Sequence, residues 1–193
     1  MKRTSLQILA AVGGLAMTSL VTWQATGAAF SGTTANSSNV FSSGTVTLVD
    51  DDANAVMFDT SAAPMVPGDS LTKCIEVTYT GTSYDLTAVR LYASLGTNVD
   101  SFANHLDITI EQGTGGSFAN CSGFTSASTL FTGTLASLTS TNTDYASGLT
   151  AWTPSAVSLD RVYRFTVVLG NDTPNSAQGD SATATFTWET QSA

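Results

Sequence analysis

The chain has 193 residues, 42% of them hydrophobic and 11% charged, with six Lys or Arg against fifteen Asp or Glu and a formal net charge of −9. That length holds one domain of ordinary size with a real core, not two comfortable ones. The acidic balance makes nucleic acid and anionic membranes poor partners, and a single His in the whole sequence removes the ligand set of a zinc site.

The first element in chain order reads as a secretory leader. Met1-Lys2-Arg3 is a short cationic head, residues 6–21 are almost wholly apolar, and Ala25-Thr26-Gly27-Ala28 supplies the small side chains that a leader peptidase needs, which sets the expected cut between Ala28 and Ala29. An uncleaved anchor is the alternative, because so short an apolar run sits at the lower edge of what spans a bilayer. Once the leader is gone, four basic residues (Lys73, Arg90, Arg161, Arg164) face fifteen acidic ones, and no membrane contact is expected of the remainder.

Residues 29–44 are dominated by Ser, Thr, Asn, Gly and Ala, with Phe30, Val40 and Phe41 as the only large apolar anchors, too few to order the segment by burial. From residue 45 onward, apolar residues recur at period two between Gly, Asn, Asp, Ser and Pro, the pattern of short strands and turns, and no comparable helical period competes with it. Strands are expected at 45–49, 71–80, 85–93, 106–111, 161–169 and 181–190, with weaker candidates at 55–59, 129–132 and 149–152. The last strand has Ala182, Ala184, Phe186 and Trp188 opposing an unbroken row of Thr183, Thr185 and Thr187. About nine short strands at this spacing predict an all-β, two-sheet sandwich of jelly-roll type over residues 45–193.

Between these strands, Pro67-Gly68-Asp69 and residues 171–175 read as tight turns. The tract 113–127 around Cys121 and the stretch 135–148 read as surface loops. Cys74 and Cys121 are the only cysteines, and in an exported chain an even count predicts a disulfide that ties the first of those loops to the strand bearing Cys74. Two buried free thiols are the alternative.

Catalytic parts are scarce. His105 has no second imidazole to join it, and a Ser or Cys nucleophile has neither an elbow motif nor a spare base. No enzyme activity and no cofactor are therefore expected, although a pair of carboxylates could in principle serve glycoside hydrolysis. Asp50-Asp51-Asp52 with Asn54 nearby has the oxygen-rich look of a calcium loop but lacks the spacing and closing Glu of an EF-hand, so it reads as a solvated acidic turn. Glycosylation acceptor patterns at Asn36, Asn120 and Asn171 are expected by chance in so Ser/Thr/Asn-rich a chain.

Two stretches resemble a known family. The junction Thr26-Gly27-Ala28-Ala29-Phe30-Ser31 with Asn39-Val40-Phe41-Ser42-Ser43-Gly44-Thr45-Val46-Thr47-Leu48, and the ending Asn175-Ser176-Ala177-Gln178-Gly179-Asp180-Ser181 before Thr185-Phe186-Thr187-Trp188-Glu189, are similar to the leader, first strand and closing strand of the TasA/camelysin family. The Pro67-Gly68-Asp69 turn fits as well. The resemblance covers about a fifth of the chain and implies a secreted jelly-roll subunit of biofilm-matrix or cell-surface fibres. In that family a freed N-terminal segment adds as a strand to the next subunit. It would make residues 29–44, with Phe30, Val40 and Phe41, the donor, other copies of the chain the main partner, and a companion matrix or anchoring protein a further one. The Cys74–Cys121 pair and the long Ser/Thr loops depart from the family's pattern, and the metalloprotease activity described for some members has no ligands here. The competing reading is a monomeric binding module for carbohydrate or a surface partner, with Tyr84, Tyr92, Tyr145 and Trp152 as candidate aromatics.

Overall fold

The computed structural model describes residues 45–82 and 86–193. They belong to one of two compact units, Ser43–Ala193; the other, Met1–Ser42, lies wholly outside the described residues. So do the leader, the junction of Ala28 and Ala29, the anchors Phe30, Val40 and Phe41, and Tyr84.

Eight strands form among the described residues: β1 (Leu48–Asp50), β2 (Ser70–Tyr79), β3 (Val89–Asn98), β4 (Leu106–Thr114), β5 (Thr125–Thr134), β6 (Leu149–Trp152), β7 (Leu159–Leu169) and β8 (Ala182–Glu189). They make two antiparallel sheets, in the orders β1-β2-β7-β4-β5 and β6-β3-β8. In an eight-stranded jelly roll one sheet reads 2-7-4-5 and the other 6-3-8-1. The first order is reproduced in full. Among the described residues the second stops at β8, and β1 pairs with β2, with Leu48 opposite Tyr79 and Asp50 opposite Val77.

Period-two patterning explains the sandwich. Ile75, Val77 and Tyr79 of β2, Leu106, Ile108 and Ile110 of β4, and Tyr163, Phe165 and Leu169 of β7 point inward and meet Val89, Leu91 and Ala93 of β3, all of them buried in one cluster. The central pairing is β2 with β7, regular over ten residues from Ser70 opposite Val168 to Tyr79 opposite Leu159. Burying a large aliphatic or aromatic side chain contributes about 1.5–3 kcal/mol, so this cluster dominates the stability of the fold.

Several expectations need correction. Residues 55–59 form no strand; they belong to a strap, residues 51–69, that joins β1 to β2. The 113–127 tract is a loop over 115–124 and strand only at its two ends, since β4 runs on to Thr114 and β5 starts at Thr125. Stretch 135–148 opens with a helix, α1 (Leu135–Thr141), capped by the Thr134 hydroxyl, which accepts the Ser137 amide at 3.1 Å. Leu135 and Leu138 of α1 are buried in the core, so this segment is no mere surface excursion. Seven residues carry too few apolar positions to display a helical period, which is why it stayed invisible. β3 starts at Val89 and extends to Asn98, while Leu86 makes only an isolated bridge to Ser192.

The turns follow their residues. Pro67-Gly68 closes with the Asp69 amide donating to Val66 O at 2.9 Å, and Gly68 holds a φ of +93° that a side chain would oppose. Gln178-Gly179 does the same before β8, with Gly179 at φ +90°.

Candidate functional site: an open strand edge above an apolar groove

The feature that stands out is what flanks β8. Among the described residues β8 pairs with β3 alone, from Arg90 opposite Glu189 to Leu95 opposite Ala184. Its other edge borders a groove of about 1070 Å³ between the two sheets. One wall is the inward row of β8, Ala182, Ala184, Phe186 and Trp188; the facing wall comes from Leu71, Ile75 and Val77 of β2 with Val167 and Leu169 of β7. Thr183, Thr185 and Thr187 also line it, so the groove runs along the backbone edge of β8 and not only beneath the strand.

Burial records the same opening. Val89, Leu91 and Ala93 of β3 are fully buried, whereas all four inward side chains of neighbouring β8 are half-buried. Phe186 packs on Phe165 with ring centroids 4.9 Å apart, and Trp188 on Tyr163 at 5.3 Å. Each aromatic of β8 therefore rests on a sealed partner on one side and faces the groove on the other. The Tyr163 hydroxyl, inside this stack, has its proton held well above the usual phenol range by burial.

The strap closes the groove from outside. Its ends are fixed by backbone: the Asp51 amide donates to Glu76 O at 3.2 Å, and at the far end the Gly68 amide donates to Leu169 O at 2.8 Å. Between them, residues 53–66 make their recorded hydrogen bonds within the strap, such as Asn54 N to Asp52 Oδ1 at 2.6 Å and Val66 N to Asp69 Oδ2 at 2.8 Å. Met57, Phe58 and Met65 pack on the core, while Val56 is 73% exposed. Side-chain packing holds this cover, and backbone pairing to the sheets does not.

The acidic run is an exposed turn in which one carboxylate also ties two segments together. Asp51 accepts the Glu76 amide at 2.8 Å through Oδ1 and the Phe118 amide at 2.7 Å through Oδ2, bracketing β2 to the 115–124 loop. Asp50 is raised in pKa by burial, with Asp52 and Asp51 adding to the shift. Glu76 is raised too, chiefly by burial and then by the charges of Asp160 and Asp51. Among the described residues no three His, Cys, Asp or Glu gather as metal ligands. His105 ends a 3-10 turn, where its carbonyl accepts the Gly170 amide at 2.9 Å.

Cys74 and Cys121 form a disulfide, with their Cα atoms 5.3 Å apart. The loop it ties down lies against the outer side of the five-stranded sheet, where the Arg164 guanidinium stacks over Phe124 at 4.6 Å and also bonds Glu111 Oε2 at 2.8 Å through Nε. Cys74 and Val162 are fully buried on that outer side, apart from the main core. Lys73, Arg90 and Arg161 likewise lie over the rings of Phe118, Tyr145 and Trp152. Every cation of residues 45–193 is thus engaged with an aromatic ring, and the uncompensated charge of the surface is acidic.

Of the candidate sugar-platform aromatics, the three described ones are each engaged within the fold. Trp152 is buried in the core, the Tyr92 hydroxyl donates to Glu189 Oε2 at 2.9 Å, and the Tyr145 hydroxyl donates to Ala88 O at 3.0 Å. The alternating sequence made β8 legible as a strand, but nothing in it marked which edge lacks a partner. The one available signal was the absence of any charge in β8 before Glu189, which leaves a long edge unguarded.

The fold and groove define an antiparallel two-sheet sandwich of jelly-roll type in which, among the described residues, the edge of β8 above an apolar groove has no strand partner. The chain matches no protein-family model, and no curated protein matches it.

Proposed function

We propose that the protein is a secreted structural subunit of extracellular or cell-surface fibres, and that copies join when the N-terminal segment of one, residues 29–44, adds as a strand to the next. The observation that carries this reading is the edge of β8, which has no second strand partner among the described residues, above its apolar groove. A strand edge offers unpaired amides and carbonyls, and a groove beneath it takes alternate side chains, the two requirements of β-augmentation. Among the described residues the unpartnered edge of β8 is the one on which a jelly roll carries its first strand.

The donor's composition fits as well. Val40 and Phe41 are neighbours, so in an extended strand they point to opposite faces and only one of them enters the groove. Small residues around them let the backbone approach closely. The disulfide supports an oxidising, extracellular setting, and among the described residues no helix is long and apolar enough to cross a membrane. Export would remove the leader at Ala28 and so free the donor; a companion protein would anchor the fibre.

Negative-stain electron microscopy of the chain starting at Ala29, beside the same chain starting at Thr45, tests this. Fibres from the first and none from the second are expected. Fibres from both would place the joining strand elsewhere, and fibres from neither across concentration, pH and calcium would remove self-assembly of the protein alone.

A further inference from the structure

A sheet protein has to manage its edges, and the four sheet edges among the described residues are not alike. β1 and β6, with three and four residues, are blunted by their shortness, and the edge of β8 is the proposed acceptor. The fourth edge belongs to β5, ten residues long, which pairs only with β4 among the described residues. It carries none of the usual guards. There is no Pro and no Lys in it, and no charged side chain occurs anywhere from Gln112 to Thr143, in a chain whose net charge is −9.

From these observations we infer that β5 is a second, lateral interface, where the β5 strand of another copy pairs antiparallel with it about a two-fold axis. Three features point to a copy of the same chain. Acidic molecules repel, so two copies approach best through a surface without charge, and β5 lies within the longest charge-free stretch of residues 45–193. Register shifts against β4 leave Leu130 and Ala127 as bulged residues, which increase the local twist. A foreign flat strand meets such an edge poorly, whereas a second β5 carries the same bulges and follows the same twist, the self-complementarity of an isologous contact. Finally, Ser126 and Thr132 are exposed, so hydroxyl-bearing strands meet without an unpaired charge being buried.

This interface is independent of strand donation at β8: donation joins copies end to end, and β5 pairs them side by side. The test uses the chain starting at Ala29 with Ser126→Lys and Thr132→Lys together, a second protein with Ser126→Glu and Thr132→Glu, and the unaltered chain, each examined for mass in solution and by electron microscopy. The unaltered chain is expected to give two-copy particles or paired filaments. Each charged variant, with an unchanged far-ultraviolet circular dichroism spectrum, is expected to give single copies or single filaments, and an equimolar mixture of the two variants to restore pairs. Restoration excludes misfolding as the cause of the loss. Pairs that survive in the Lys variant, or an unaltered chain that never pairs, overturn the inference. Single filaments from the unaltered chain would do so while leaving strand donation intact, whereas two-copy particles without filaments would support β5 and count against donation.

Discussion

Trp188 of β8 packs against Tyr163 of β7 with ring centroids 5.3 Å apart, yet Tyr163 is fully buried and Trp188 only half so. The difference marks where the sandwich is closed and where it is open, and it carries consequences that can be measured.

Phe165 and Phe186 offer the same contrast in a form suited to substitution. Phe165→Ala removes a fully buried ring and is expected to cost about 4 kcal/mol, whereas Phe186→Ala, at the groove wall, costs about half as much in the unassembled subunit. Urea unfolding of both variants checks this. Equal losses would mean that the groove is as well packed as the core.

Asp51 predicts that the acidic run is structural. Asp51→Ala leaves the amides of Glu76 and Phe118 without their acceptor and is expected to lower stability by about 2–3 kcal/mol, with Asp52→Ala costing distinctly less because it loses only the Asn54 contact within the strap. Equal effects in thermal unfolding would contradict the bracket.

Replacing Cys74 and Cys121 together by Ala is expected to cost about 3 kcal/mol through the unfolded state. The Asp51 bracket and the Arg164–Phe124 stack still hold the loop in the folded state, so far-ultraviolet circular dichroism should be unchanged. A loss of strand signal would show that the disulfide is needed to form the sheet.

Glu76 gives a pH dependence of definite sign. Its folded pKa is raised, first by burial and then by Asp160 and Asp51, so the folded chain holds the proton more tightly than the unfolded one. Stability contributed by this group therefore falls as pH rises from about 4.3, the ordinary Glu value, through the raised one. Glu76→Gln should melt higher than the parent at pH 7, and the two should converge below about pH 4, where Glu76 is protonated in both states. A gap that ignores pH would rule out this electrostatic origin.

The strands of the core were legible because period-two patterning and burial impose each other: β6 falls at the expected 149–152, and β2, β7 and β8 within two residues of their expected ends. The strap was misread for a physical reason. Residues 55–59 alternate like a strand, with Val56 and Phe58, but their backbone finds no sheet to pair with and only side-chain packing fixes them. The disulfide could be foreseen from the cysteine count, but the groove could not, because its walls come from strands far apart in the chain and no single stretch displays them. Residues 129–132 of β5 were legible as a weak strand, but its start, 125–127, looked like loop since Ser and Thr hydroxyls suit a strand edge and a loop equally well.

Hydrogen exchange of the β8 peptide, residues 182–189, in assembled against unassembled protein starting at Ala29 tests the central claim most directly, because strand addition pairs the outward amides of β8 and leaves the short edge of β6 as it was. Strand addition at β8 predicts strong new protection in β8 on assembly and none in residues 149–152. Fibres in which β8 exchanges as fast as in the free subunit would contradict it and place the contact between copies elsewhere.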